Sequence, residues 1–169
     1  MRVPALIALS GLALGAAGCA SMMPAPAANT PTVVTAAPQP VEGYDWFYHE
    51  DGPEARLAYG LETSDDLRLG LDCARAGGEL TLSAIGPKGA AAEILVEAGG
   101  ETGRFPAQSE PSELHDGVFL TAQADAGAAV FQRFRQVGWL AVWQGETREA
   151  YAPHPGSREN IEKFFIFCG

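Results

Sequence analysis

Between residues 67 and 73 the chain reads Leu-Arg-Leu-Gly-Leu-Asp-Cys, apolar at each odd position and polar or glycine at each even one. Side chains alternate across a pleated strand, so this period of two predicts a half-buried β-strand with Cys73 on its core face. Beyond Gly77-Gly78, the residues Leu80, Leu82 and Ala84 alternate with Glu79, Thr81 and Ser83, which makes the two runs a hairpin. The turn residues Gly86-Pro87-Lys88-Gly89 lead into an apolar run at 93–98 that stops at Gly99-Gly100. Further strands are expected at 44–49, 56–61, 103–107, 118–124, 139–144 and 147–151, and the succession of short strands and turns predicts an antiparallel meander.

Two stretches break the alternation. Val130, Phe131, Phe134 and Val137 recur at helical spacing within 125–137, with Asp125 placed to cap the helix. Near the end, Ile161, Phe164, Phe165 and Cys168 fall at i, i+3, i+4 and i+7 after Pro155-Gly156, which predicts a terminal helix docked by one face. A short buried strand at 164–168 is the competing reading, since so brief an apolar run has no decisive period. The expected fold is therefore α+β and mostly β: an antiparallel meander, curled or packed as a sandwich, with one internal helix and a C-terminal helix.

The front of the chain is different. Arg2 precedes an Ala- and Leu-rich stretch at 3–17 that is too short for an ordinary spanning helix and has the form of a signal peptide. It ends in Leu14-Gly15-Ala16-Ala17-Gly18-Cys19. This segment resembles the lipobox of bacterial lipoprotein precursors, although Ala16 stands where that family favours Leu. The resemblance implies removal of residues 1–18, a diacylglycerol thioether on Cys19 and acylation of the new amine. One acyl chain holds a protein only marginally, whereas two or three anchor it stably at ~0.8 kcal/mol per buried CH2. The alternative is plain secretion.

Residues 20–41 contain no charge and include Pro24, Pro26, Pro31, Pro38 and Pro40. Such a segment cannot bury a core and favours extended polyproline II at ~3.1 Å per residue, so 19–42 reads as the lipidated cysteine and a tether reaching up to ~70 Å. A set of proline ligands would carry flanking basic residues, which are missing here. One domain remains, 43–169, long enough for a single core.

Composition narrows the partners. With 11 Lys+Arg against 21 Asp+Glu the formal net charge is -10, which offers no cationic footprint for nucleic acid. The expected partners are the membrane, through the anchor, and an envelope protein or glycan. The resemblance to lipoprotein precursors implies a place in the bacterial envelope, facing the periplasm, and, by the sorting preference of enteric bacteria, the outer membrane, because Ala20 rather than Asp follows the cysteine. With Cys19 taken by lipid, Cys73 and Cys168 form an even pair in an oxidising compartment, where a disulfide is the natural state. Two buried thiols are the alternative. A zinc site or redox pair would need CxxC spacing or a nearby histidine.

Candidate chemistry is sparse: no GxSxG, HExxH, phosphate loop or EF-hand run occurs. His49, His115 and His154 lie at apparent turns, the first two beside carboxylates, and could serve as acid, base or metal ligands only if their loops converge. Asp65-Asp66 reads as a turn rather than a paired acid-base site. Tyr44, Trp46 and Tyr48 share one strand face, as do Trp139 and Trp143. Either set could stack on sugars, but Leu140 and Val142 make the opposite face of the Trp139 strand apolar too, which suits burial on both sides.

From Trp46 onward the segments RLAYGLETSDDLRLGLDC, VFQRFRQVGWLAVW and IEKFFIFCG resemble uncharacterised cell-envelope proteins of proteobacteria, a resemblance that implies architecture and no activity. The expectation is a lipid-anchored envelope protein whose domain binds or supports without catalysis, with no catalytic residue, metal or cofactor. The alternatives are an envelope enzyme using the three histidines and a glycan-binding module exposing Trp46 or Trp139.

Overall fold

The computed structural model describes residues 37–113 and 116–169. The signal peptide, Cys19 and most of the tether expected at 19–42 lie outside the described residues, as does His115. Nine strands and two helices follow in the order β1 (Tyr44–Asp51), β2 (Glu54–Leu61), β3 (Leu67–Ala74), β4 (Glu79–Pro87), β5 (Glu93–Ala98), β6 (Glu101–Pro111), β7 (Gly117–Asp125), α1 (Ala129–Val137), β8 (Leu140–Gln144), β9 (Thr147–Tyr151) and α2 (Arg158–Cys168). All pairings are antiparallel, and the sheet order is β1-β2-β3-β4-β7-β6-β5-β8-β9. The sheet curls into a nearly closed barrel.

The chain leaves sequential order at β4, whose partner is β7, so the β5–β6 hairpin lies one strand further on. Strand β6 serves two neighbours in turn. Its first half, to Pro106, pairs with β5, and its second half, from Ala107, pairs with β7. Pro106 has no N–H to give a ladder, so the changeover falls where a donor is missing anyway. Helix α1 packs on β5 and β6. The approach is close at Gly103, where a Cβ would lie 2.8 Å from Val130 Cγ1.

The alternation read in the sequence sets the core. Leu69, Leu71 and Cys73 face inward beside Leu80, Leu82 and Ala84, and Ile94, Val96 and Ala98 do so across the barrel. Each fully buried Leu, Ile or Val contributes about 1.5–3 kcal/mol. Phe131 and Phe134 of α1 and Ile161, Phe164 and Phe165 of α2 complete the interior, so 164–168 is helical. Asp125 is not the cap of α1: its Oδ1 accepts the Gly127 N–H at 2.7 Å, forming a local turn, and the helix starts only at Ala129. Gly138, at φ +81°, closes the helix with its N–H on the Phe134 carbonyl.

The free edges of β1 and β9 approach each other without a backbone ladder. The seam is held by side chains: Trp46 Nε1 donates to the Tyr151 carbonyl at 3.1 Å and the His154 amide, just past β9, donates to Asp45 Oδ1 at 3.1 Å, while Asn160 Nδ2 of α2 donates to the Trp46 carbonyl at 3.0 Å. The β3–β4 turn is tied to the end of α2, with Ala76 N–H on the Phe167 carbonyl and Gly78 N–H on the Cys168 carbonyl. Cys73 and Cys168 lie at disulfide distance there, their Cα atoms 5.8 Å apart. A bridge closing a loop of 95 residues stabilises by ~4 to 5 kcal/mol in the chain-entropy account.

Candidate functional site

The helices cover one end of the barrel, and the opposite end has a mouth. Its floor is Ala84 of β4, Leu120 of β7, Ile94 of β5 and Val142 of β8, all core positions, and its rim is the 87–91 turn with Glu93, Trp143, Gln144 and Gly145. The cavity has a volume of about 320 Å³, at the lower end of the range for small-molecule pockets, and barrel mouths are a usual place for them. Gln144 Nε2 donates to the Ile85 carbonyl, a strut from β8 to β4.

The local sequence explains the opening. Pro87 and Ala90 close a turn, the Ala90 N–H donating to the Pro87 carbonyl at 2.9 Å, and Ala90-Ala91-Ala92 supplies no large side chain to fill the space below. Of the lining residues only Lys88 and Glu93 ionise, and Glu93 is engaged by Arg104. Such a surface can hold an apolar group, with a cation at the lip. It is poorly equipped to move protons.

The two described histidines, His49 and His154, do not assemble. His49 stands on the outer face of β1 at one end of a cross-strand row, opposite Arg56, which continues through Asp72, Thr81 and Gln123. Arg56 grips Asp72 with two bonds of 2.6 and 3.1 Å, and Thr81 and Gln123 bond each other. The row borders a hollow of about 620 Å³. His154 is placed elsewhere: its Nε2 meets the Val41 carbonyl at 3.0 Å and its amide meets Asp45, four residues back along β1 from His49, or ~13 Å of strand. Among the described residues no group of three or more His, Cys, Asp or Glu could hold a metal ion. Asp66 is structural, accepting from the Tyr44 hydroxyl and pairing with Arg68.

The tryptophans are not a platform. Trp46 is fully buried in the core, and Trp139 is buried in a second cluster with Ala141 and Ala152 on the outer face of β8. Beside that cluster lies a feature that the sequence reading missed. Glu97 is only 1% exposed, its Oε2 accepting from Trp143 Nε1 at 3.0 Å and from Arg148 Nε at 2.8 Å, while Arg148 Nη2 reaches Oε1 at 3.2 Å. Arg148 also lies over the Trp139 ring. The signal was an acid, Glu97, set among the apolar residues of 94–98. The mouth had none, because its floor residues come from four strands distant in sequence.

No family model, curated protein or solved structure matches the chain.

Proposed function

We propose that the chain is an exported lipoprotein held at the bacterial envelope through Cys19, and that its barrel is a non-catalytic binding module taking a small apolar ligand at the mouth. The observation that carries the binding reading is the open cavity over Ala84, Ile94, Leu120 and Val142. The cysteine pair supports the exported location, because a bridge persists in oxidising compartments. A net charge of -10 disfavours direct contact with an anionic lipid surface, which leaves attachment to the acyl chains.

Two measurements test the two halves separately. Radiolabelled palmitate should enter the wild-type chain and not Cys19→Ser, which should leave the membrane fraction; equal labelling and fractionation reject the anchor. A fluorescent apolar probe should bind the protein and lose affinity when Ala90→Trp fills the mouth from the rim. Unchanged probe binding in that variant rejects the mouth.

A glycan partner is the second reading, favoured by the polar row of Arg56, Asp72, Thr81 and Gln123 rather than by any tryptophan. Calorimetric titration with soluble cell-wall fragments against wild type and Asp72→Ala distinguishes it.

A further inference from the structure

We infer that the guest of the barrel mouth is a single-chain carboxylate of the fatty-acid class, with its hydrocarbon chain on the floor and its head at the 87–91 lip beside Lys88. This inference rests on the binding reading of the mouth and narrows it to one chemical class.

The floor fixes the buried part of the guest. Ala84, Ile94, Leu120 and Val142 offer only aliphatic side chains, so a polar group carried down to them loses its water and finds no partner. The two polar side chains of the β8 rim are already committed, Gln144 Nε2 to the Ile85 carbonyl and Trp143 Nε1 to Glu97. At about 320 Å³ the cavity is small, which favours one chain over a two-tailed lipid.

The lip fixes the head. Its acceptors are in use: the Pro87 carbonyl takes the Ala90 N–H at 2.9 Å, the Ala91 carbonyl takes the Glu93 N–H at 2.8 Å, and the Ala92 carbonyl takes the Ala107 N–H at 2.9 Å. Its donors are not. Among the described residues, the backbone N–H groups of Lys88, Gly89 and Ala91 and the Lys88 ammonium have no partner within the chain. The other ionised lining group, Glu93, is matched by Arg104, so the unbalanced charge of the lining is that of Lys88. Glu146, exposed in the turn after Gly145, lies outside the lining. The head therefore accepts hydrogen bonds and carries negative charge. A hydroxyl head leaves the ammonium unmatched, and an ammonium head meets like charge. The whole chain carries -10, which penalises a second negative charge and favours a monoanion over a phosphate ester.

The test is a titration of the full chain with decanoate, decanol, decylammonium and decyl phosphate, each below its micelle concentration and at one ionic strength. Binding is read by displacement of the fluorescent apolar probe and by methyl NMR shifts of Ala84, Ile94, Leu120 and Val142. Decanoate should bind ~10-fold more tightly than decanol, decylammonium more weakly than decanol, and decyl phosphate no better than decanoate. Lys88→Gln should weaken decanoate by ~3- to 5-fold and leave decanol unchanged, and Lys88→Glu should make decylammonium the tightest of the four. Lys88 is exposed, so both variants should keep the fold. Binding of none of the four, or probe binding unchanged in Ala90→Trp, rejects the mouth and this inference with it. A mouth that loses the probe in Ala90→Trp yet takes decanol, decylammonium or decyl phosphate more tightly than decanoate overturns the carboxylate alone. Equal affinity for decanoate and decanol, or full decanoate affinity in Lys88→Gln, does the same.

Discussion

Glu97 and Arg148 offer the sharpest test of how the outer face of β5, β8 and β9 is held. Glu97 is 1% exposed and the Arg148 side chain 17%, so little water is available to either if the other is removed. Exposed ion pairs contribute ~0–1 kcal/mol, but breaking a buried one leaves an unmatched charge and costs about 3–5 kcal/mol. Arg148→Met keeps the stem that packs on Trp139 and removes both donors, leaving the Glu97 carboxylate with Trp143 Nε1 alone. The residual exposure of Arg148 places the expected loss near the lower figure, ~3 kcal/mol. The double variant Glu97→Leu/Arg148→Met removes the charges together, and because a buried pair repays little more than its desolvation, it should fall within ~1 kcal/mol of wild type. Urea unfolding followed by tryptophan fluorescence gives each value as a shift of midpoint at constant slope. A loss below ~1 kcal/mol in the single variant, or a double variant as poor as the single one, would refute the reasoning.

Reducing the Cys73–Cys168 pair, or replacing both residues by Ser, should lower stability by up to ~4 to 5 kcal/mol, measured by denaturant unfolding with and without reductant. Gly60→Ala should cost ~1–3 kcal/mol by the same assay, because a Cβ there would lie 2.6 Å from the Asp66 carbonyl at the irregular step in the β2–β3 register. Alkaline pH should unfold the domain through its tyrosines. Burial raises the pKa of Tyr59, and burial with the Glu149 charge raises that of Tyr151, both from the ordinary 10.0. Their contribution is whole below pH 10 and declines as pH rises from there toward the folded-state values, since the unfolded chain ionises first. Phenolate absorbance rising in step with loss of near-UV circular dichroism checks it; phenolate appearing in a chain that stays folded contradicts it.

Much of the architecture was legible because burial here follows local periods. The alternation at 67–73 placed Leu69, Leu71 and Cys73 in the core, and the spacing of Ile161, Phe164 and Phe165 gave α2 its buried face. Asp125 misled because a side-chain oxygen followed closely by glycine can bond its own turn more readily than cap a helix. What the sequence hid is non-local. Nothing near Pro87 announces that β7 lies beside β4, and the Glu97–Trp143–Arg148 contact exists only once β5, β8 and β9 are in register. The same holds for the candidate sites. The Tyr44 face was read as a strand face with Trp46, but its meeting with Tyr59 and Tyr151 depends on how the sheet curls.

The strand count has one last consequence. In a sheet where each strand opposes its neighbour, the first and last run oppositely only when the number is even; here it is nine, so β1 and β9 point the same way. An antiparallel ladder between them is therefore excluded, and with no parallel ladder formed either, the seam is held by the Trp46 indole and the Asp45 carboxylate. Gain or loss of a whole hairpin would keep that parity, and a single added strand would reverse it.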